Sequence, residues 1–399
     1  MRIEDLDPEC KLEKVEWALL PGERYRSAGR NARLEVHGQT LGVALARITA
    51  GGVQGFGWAY LSPESAKSFL GLPIKEMFSK QAEASPKVLP QYWQLEFPLL
   101  DWWGRINQRP VFRLLTPSAG ADAGEQPTSS NKPSSESLSV LCYDTSLYFD
   151  DLHLSEEKAA VELMQAEALE GWNRGHRAFK IKVGRGARFM PLTEGMLRDA
   201  AIVNGIRQAV GPTATLMIDA NNGYNLNLAK WLLSLTKEAN LFWLEEPFHE
   251  DPVLLEALKE WLSQENLTVL IADGEGRADP NLLEWAKAGL VDVIQYDLRE
   301  YGFGRWLELG AILDAYKIKS APHNYGGLYG NYASAHLAPS IESFLFVEWD
   351  GGQAQGLDTS AYQLKEGRII LPERPGFGLE LDEQYFSQKV KAEGWTISA

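Results

Sequence analysis

The chain reads as an α/β protein built on a barrel of parallel strands, and three observations predict this. From Leu138 onward, short apolar strands alternate with amphipathic helices, which signals repeated strand–helix units around a parallel sheet. Eight such strands fit into about 220 residues, close to the ~250 that a β/α barrel takes. The strands from the second onward end in ionisable groups, where a barrel places its chemistry. An open doubly wound sheet is the competing fold; the count of eight and the even spacing favour the barrel.

The strands are predicted to end near Tyr143, Val183, Asp219, Glu245, Asp273, Asp297, His323 and Trp349. Helices are expected between them: Glu156 to Arg174, stopped by Gly175; Glu194 to Val210, stopped by Gly211; then Leu226 to Ala239, Val253 to Gln264, Leu282 to Ala288 and Trp306 to Tyr316. Ahead of the barrel, residues 1 to about 116 read as α+β. Arg47 to Trp58 predicts two strands around a Gly51–Gly52 turn. Pro21 to Arg30 reads as a polar loop, and a helix is expected around Tyr92 to Arg105. Residues 117–137, rich in Pro, Ser, Gly and Ala, read as a linker or flexible loop. The tail from Gln363 to Ala399 is expected to form strand, turn and loop, and to pack back on the N-terminal part.

Bulk properties exclude several functions. A net charge of −15 and a pI near 5.0 argue against nucleic acid, which wants a basic face. No apolar run reaches membrane-spanning length, and the acidic start Met1-Arg2-Ile3-Glu4-Asp5 is not a signal peptide. Only Cys10 and Cys142 occur, so no disulfide framework is indicated and a reducing compartment fits. The reading is a cytoplasmic protein with no membrane partner.

The chemistry centres on Lys180 and Lys182. In a strand they share one face, and two buried like charges need negative partners. Later strand ends supply them: Asp219, Glu245, Glu275, Asp297, His323 and Glu348 follow one another at 26, 30, 22, 26 and 25 residues, each about one strand–helix unit. A single acidic strand end is usually a helix cap, the reading that suits Asp251 and is fair for Glu246. Six in series after apolar strands fit that poorly. Asp219, Glu245 and Glu275 on neighbouring strands make an all-oxygen site for a hard cation, so Mg²⁺ is expected, with Asp273 as understudy. The remaining groups suit proton transfer. Lys182, beside another lysine and an ion, should have its pKa pushed down. Asp297 should orient His323 and raise its pKa. Glu348 would donate a hydrogen bond if held protonated.

Lys180-Ile181-Lys182, Asp219-Ala220-Asn221, Glu245-Glu246-Pro247, Gly274-Glu275, Asp297 before His323, and Glu348 together resemble the enolase superfamily. The paired lysines with an Asp–His dyad resemble its mandelate racemase-like subgroup. The Gly-Gly hairpin, Pro110 to Leu115 and Pro375-Gly376-Phe377-Gly378 match the same pattern. The resemblance implies a modified TIM (β/α)7β barrel under an α+β cap made from both chain ends. It divides the chain into a cap at 1–136, a barrel at 137–357 and a C-terminal segment at 358–399 that packs on the cap, in a homo-oligomer.

The same resemblance implies Mg²⁺-dependent removal of the proton α to a carboxylate, through an ene-diolate, with a lysine or histidine base. Lys182 would serve one face of the substrate and His323–Asp297 the other. Lys180 and Glu348 would stabilise charge on the carboxylate oxygens. Asn221 would touch a substrate hydroxyl, and Thr145 would lie near the carboxylate. Dehydration of an aldonate or aldarate to a 2-keto-3-deoxy acid is the leading reaction. Racemisation or epimerisation of a 2-hydroxy acid, and a retired barrel that only binds a sugar acid, are the alternatives.

Three features depart from the pattern: Tyr301-Gly302-Phe303-Gly304 stands where relatives often have Gly-Gly, Asp273 adds a carboxylate, and the polar segment 117–137 is unusually long. Arg24, Arg26, Arg185, Arg188 and Arg277 sit in expected loops within reach of an anionic substrate, though a surface arginine is the commoner case. Gly184-Arg185-Gly186 lacks the third glycine of a dinucleotide site. Cys142 reads as a core residue, His249 as a surface or supporting one, and His37, His153, His176 and His336 belong to no visible constellation.

Overall fold

The computed structural model describes residues 3–79, 87–115 and 138–399; the linker expected at 117–137 lies outside the described residues. The N-terminal part is an antiparallel sheet of β1 (Leu12–Ala28), β2 (Gly38–Ala50) and β3 (Val53–Trp58). The β2–β3 turn is the predicted one, with Gly51 and Gly52 at φ 55° and 71°, where glycine carries no steric cost. The helix Glu96–Ile106 packs on β3 at a glycine: a Cβ on Gly55 would stand 2.3 Å from the Trp102 nitrogen.

The loop expected over Pro21 to Arg30 is instead mostly strand. β1 runs unbroken through Ala28, pairing with β2 on one side and, at Gly22 to Arg24, with β12 (Gly352–Ala354) on the other. Gly22 here is a point of close approach rather than a breaker, since an added Cβ would lie 2.7 Å from the Gln353 carbonyl. Arg24 is buried because Asp350 pairs with it.

The barrel follows as predicted. Among the described residues its eight strands are β4 (Ser139–Leu147), β5 (Ala178–Lys182), β6 (Thr215–Asp219), β7 (Leu241–Glu245), β8 (Leu270–Asp273), β9 (Val293–Ile294), β10 (Lys319–Ser320) and β11 (Val347–Trp349). They pair in parallel in sequence order from β4 to β10. β11 pairs with β4, and a Ser320–Phe344 bridge closes the ring. The expected helices lie between the strands, with two more α-helices among the described residues: the short Leu298–Tyr301 after β9, and Leu328–Leu337, which precedes β11. All ten residues of the latter are buried, so it carries none of the one-sided apolar pattern that reveals a surface helix.

Side-chain alternation stacks the barrel interior in layers. Tyr143, Ala178, Met217, Trp243, Ala272, Val293, Ala321 and Phe346, one from each strand or the residue beside it, form an apolar plug. Two residues further along each path stand Thr145, Lys180, Asp219, Glu245, Gly274, Gln295, His323 and Glu348. Side chains two apart share a face, so a polar ring sits directly on the plug at the strands' C-terminal ends.

The tail corrects the expected strand–turn–loop. Its hairpin β14 (Gln363–Lys365) and β15 (Arg368–Ile370) extends the barrel sheet from β4 rather than resting on the cap. Beyond it come β16 (Glu380–Leu381), which pairs with β13 (Leu357–Asp358), and a helix, Glu383–Glu393. Asp382 caps that helix and Phe386 and Val390 are its buried residues. The last strand, β17 (Trp395–Ser398), pairs with β1 and so ties the chain's end to the cap. No helix among the described residues is long and apolar enough to cross a membrane.

Candidate active site at the barrel mouth

The polar ring and the residues just above it collect all ten predicted site residues. Lys180 and Lys182 lie on the inner face of β5, while Phe179, Ile181 and Val183 pack outward in the core. Lys180 Nζ is 2.6 Å from Glu245 Oε1, 3.1 Å from Glu348 Oε1 and 3.5 Å from Asp219 Oδ2. Lys182 Nζ binds Asp219 Oδ2 and lies over the Tyr148 ring. Burial alone would lower both lysine pKa values; the carboxylates, Glu245 and Glu348 on one and Asp219 on the other, more than reverse this. The expected downward shift at Lys182 is therefore not what the protein chain alone produces.

Asp219, Glu245 and Glu275 each offer a carboxylate oxygen, all within 4.8 Å of one another. They come from β6, β7 and the turn after β8. Burial drives Glu245 up to about 8, with Asp219 and Glu275 adding repulsion. Glu246 is pushed to about 10 by burial and then by Glu275 and Asp219. So the local cations leave the carboxylates under-neutralised, and the donor set is hard oxygen, which suits a divalent ion such as Mg²⁺. Asp273, the understudy, stays outside the triad. β8 ends at Asp273, as expected, and the chain turns before Glu275; Asp273 Oδ1 accepts from Gly274 N–H, and Glu250 is the charge it feels most.

His323 Nδ1 lies 2.9 Å from Asp297 Oδ2, and Nε2 is 3.2 Å from Glu275 Oε2 and 3.9 Å from Glu348 Oε2. Burial disfavours charge on the ring, but Glu275, Glu348 and Asp297 together raise its pKa to about 9. Asp297 doubles as a helix cap, its Oδ1 accepting from Arg299 and Glu300 N–H. Glu348 is no donor here. It accepts from Thr145 Oγ1 at 2.7 Å and Asn324 N at 2.7 Å, and despite burial Lys180 and His323 hold its pKa below the usual range. Asn221, at φ 43°, donates to Glu246 and Glu275, and its buried Oδ1 has no hydrogen-bond partner among the described residues.

Several residues of the mouth escape sequence reasoning. Glu246 caps no helix: it is buried and bound by Asn221 and Asn222. Asp251 does cap one, as expected. Gln295 Nε2 donates to Glu245 Oε2 at 2.9 Å. His37 packs edge-on against Tyr148 and Tyr325, and burial with the charges of Lys182 and Arg24 lowers its pKa to about 4. It reaches the mouth from the cap, so no local signal marks it. Of the five arginines, Arg24 pairs with Asp350, Arg26 with Glu167 and Glu170, Arg185 with Asp151 and Asp199, and Arg188 with Glu35, while Arg277 is exposed. His336 is structural: Nδ1 accepts from Phe112 N and Nε2 meets the Tyr362 hydroxyl.

Comparison with known proteins gives a consistent set of matches. The family described as enolase C-terminal domain-like matches residues 163–385, more than half of the chain. Galacturonate dehydratase from Geobacillus sp., solved with D-galacturonate and 5-keto-4-deoxy-D-galacturonate, is 48% identical with a TM-score of 0.91, covering 98% of this chain and 100% of that one. A mandelate racemase/muconate lactonizing protein from Geobacillus sp. Y412MC10, solved with magnesium and tartrate, is 47% identical with a TM-score of 0.93 over 100% of both chains. Among curated sequences, D-xylonate dehydratase of Haloferax volcanii is 30% identical over 189 residues, 45% of this chain and 44% of that protein. The chain spans about half the length of the first curated relatives it matches.

Proposed function

The chain belongs to the enolase C-terminal domain-like family, in its mandelate racemase-like subgroup, and from that premise we propose that it is a Mg²⁺-dependent acid-sugar dehydratase acting on a hexuronate of the galacturonate type. The observation that carries the reading is the way two proton carriers flank the carboxylate triad. Lys182 contacts Asp219 at one side of the triad, and His323 contacts Glu275 at the other. Identity of 48% over the whole length of a galacturonate dehydratase supports the uronate over the aldonates and aldarates.

Asp219, Glu245 and Glu275 would hold the Mg²⁺, which when bound supplies Lewis-acid charge for the substrate carboxylate and relieves the two lysines of neutralising the triad. Lys182 then takes the proton from the carbon α to the carboxylate. Lys180, against Glu245 and Glu348, holds positive charge where the carboxylate oxygens gain negative charge in the ene-diolate. His323, kept protonated by its carboxylate neighbours, gives its proton to the hydroxyl on the next carbon, which leaves as water. Tautomerisation of the resulting enol yields a keto group α, and a deoxy carbon β, to the carboxylate. That is the pattern in the name of the compound bound by the Geobacillus sp. dehydratase.

Incubation with Mg²⁺ and a panel of uronates, aldonates and aldarates in D₂O tests this. A keto-deoxy acid from D-galacturonate or a near isomer is the expected result. Deuterium at the α-carbon without a keto product would establish racemisation or epimerisation instead. Neither product nor exchange across the panel would leave only a binding protein. Self-association forms part of the same reading, supported by the exposed cap residues Leu34, Val36, Tyr60 and Trp93; sedimentation measures it. The free Cys10 and Cys142 suit the proposed cytoplasmic setting.

A further inference from the structure

β4 and β11 are read on both faces. Thr145 and Glu348 point into the barrel, while Asp144, Ser146 and Trp349 point outward. Outside these two strands lies a second cavity of about 300 Å³, walled by the cap strand β1, the end of the helix Glu157–Arg174 and the residues after β11. It takes no part in the proposed dehydration.

Its polar groups are incompletely matched. Arg24, Arg26 and Arg174 converge there with Asp144 and Asp350. Arg24 holds Asp350 at 3.2 Å and Arg174 approaches Asp144 at 3.5 Å, while Arg26 reaches the exposed Glu170 at 3.1 Å. Three side chains keep buried atoms with no hydrogen-bond partner among the described residues: Arg26 Nε, His176 Nδ1 and Asp144 Oδ2. His176 is 3% exposed and Asp144 2%. Unmet buried polar atoms are costly. Glu167, Glu170 and Ser146 hold the other two nitrogens of Arg26, and its Nε is left as a donor that a carboxylate oxygen can meet. Asp144 Oδ2 is an acceptor whose ion-pair partner is the half-exposed Arg174 guanidinium at 3.5 Å, beyond good hydrogen-bond length, so it still has room for a hydroxyl. Trp349 and Tyr332, in edge contact at 5.5 Å, add aromatic wall, and Thr359 adds a hydroxyl. One small molecule answers both demands if it carries a carboxylate and hydroxyl groups together.

We propose that this outer cavity is a second binding site, for a small hydroxylated carboxylate of the sugar-acid class, distinct from the barrel mouth. Its occupancy bears on the mouth through shared elements. Arg24 lies over the Tyr325 ring at 4.7 Å, and Asp350 accepts from Gly326 N at 2.9 Å, so the wall of the outer cavity is also the support of the segment that follows His323.

The test is calorimetric titration of the full chain, stripped of metal with EDTA, using D-galacturonate as probe. One equivalent of metal-independent binding is expected. Arg174→Gln, which removes a cation at the rim, and Thr359→Trp, which fills the cavity from the opposite wall, should each weaken it at least tenfold. Both variants should retain the Mg²⁺-dependent thermal shift of the barrel site, which keeps this result separate from the fate of the dehydratase reading. Absence of metal-independent binding, or binding unmoved in both variants, would overturn the proposal. Equal displacement by inorganic phosphate would overturn the assignment to a hydroxy acid.

Discussion

Nδ1 of His323 faces Oδ2 of Asp297 at 2.9 Å, while the other oxygen of that carboxylate caps the helix Leu298–Tyr301. The contact fixes the ring: Nδ1 carries a proton towards Asp297, and Nε2 is presented to Glu275 and the mouth. Asp297→Asn keeps a capping oxygen but removes the charge. We expect kcat to fall by roughly 10²–10⁴, the range associated with a general acid–base group. The melting temperature should stay nearly unchanged, and the alkaline limb of the pH–rate profile should move to lower pH as His323 loses its partner. A parallel loss of folding would show that the cap, and not the charge, is what matters.

Lys182 and His323 should separate the two halves of the reaction. With His323→Asn, solvent deuterium should still enter the α position while the keto-deoxy product is lost. With Lys182→Ala, both exchange and product should disappear. NMR of substrate recovered from D₂O reads both, and exchange surviving in the Lys182 variant would reverse the assignment of base and acid.

Metal removal should destabilise the protein as well as silence it. Three carboxylates within 4.8 Å repel one another without a cation. Mg²⁺ binding only the folded state should add about 2.7 kcal/mol at a hundredfold excess over Kd. Thermal melts with and without EDTA measure it. Glu245→Gln should abolish the Mg²⁺ dependence, and a melt insensitive to Mg²⁺ in the parent would dissolve the metal site.

His336 gives a pH dependence with a clear sign. Burial lowers its pKa from 6.5 to about 3, and its neutral ring joins Phe112 N to the Tyr362 hydroxyl, which donates on to the Phe377 carbonyl. Between those two values the unfolded chain holds a proton that the folded one does not. Its contribution is therefore intact above pH 6.5 and lost as pH falls towards 3, by about 1.4 kcal/mol per unit. Urea unfolding at pH 7.5 and 5.5 should show His336→Gln less stable at the upper pH but less sensitive to the change. Equal sensitivity in both proteins would refute it.

Much of the site was legible because strand periodicity and strand ends are local. Lys180 and Lys182 announce a shared face, and Asp219 and Glu245 each close an apolar run. Ranking Glu275 above Asp273 also holds in the geometry, and the strand ends at Asp273 as expected. What stayed hidden depends on distant partners. His37 acquires its setting from Tyr148 and Tyr325, more than a hundred residues away in sequence. The strand character of Pro21 to Ala28 depends on β2 and β12, which lend it pairing that Pro and Gly locally discourage. The lysine pKa directions reflect a complete ring of carboxylates, which pairwise reasoning about two lysines and an ion did not sum.

Within the polar ring, seven positions carry polar side chains and the eighth is Gly274, at φ 127°, where a Cβ would stand 3.1 Å from the Gln295 nitrogen. The third carboxylate is thereby displaced onto a turn. Asp219 and Glu245 are sealed, at 0% and 1% side-chain exposure, but Glu275 remains 18% open to water. If the triad holds the ion as proposed, Glu275 is the arm that an ion entering from solvent would meet first, ahead of the two sealed deeper in the scaffold.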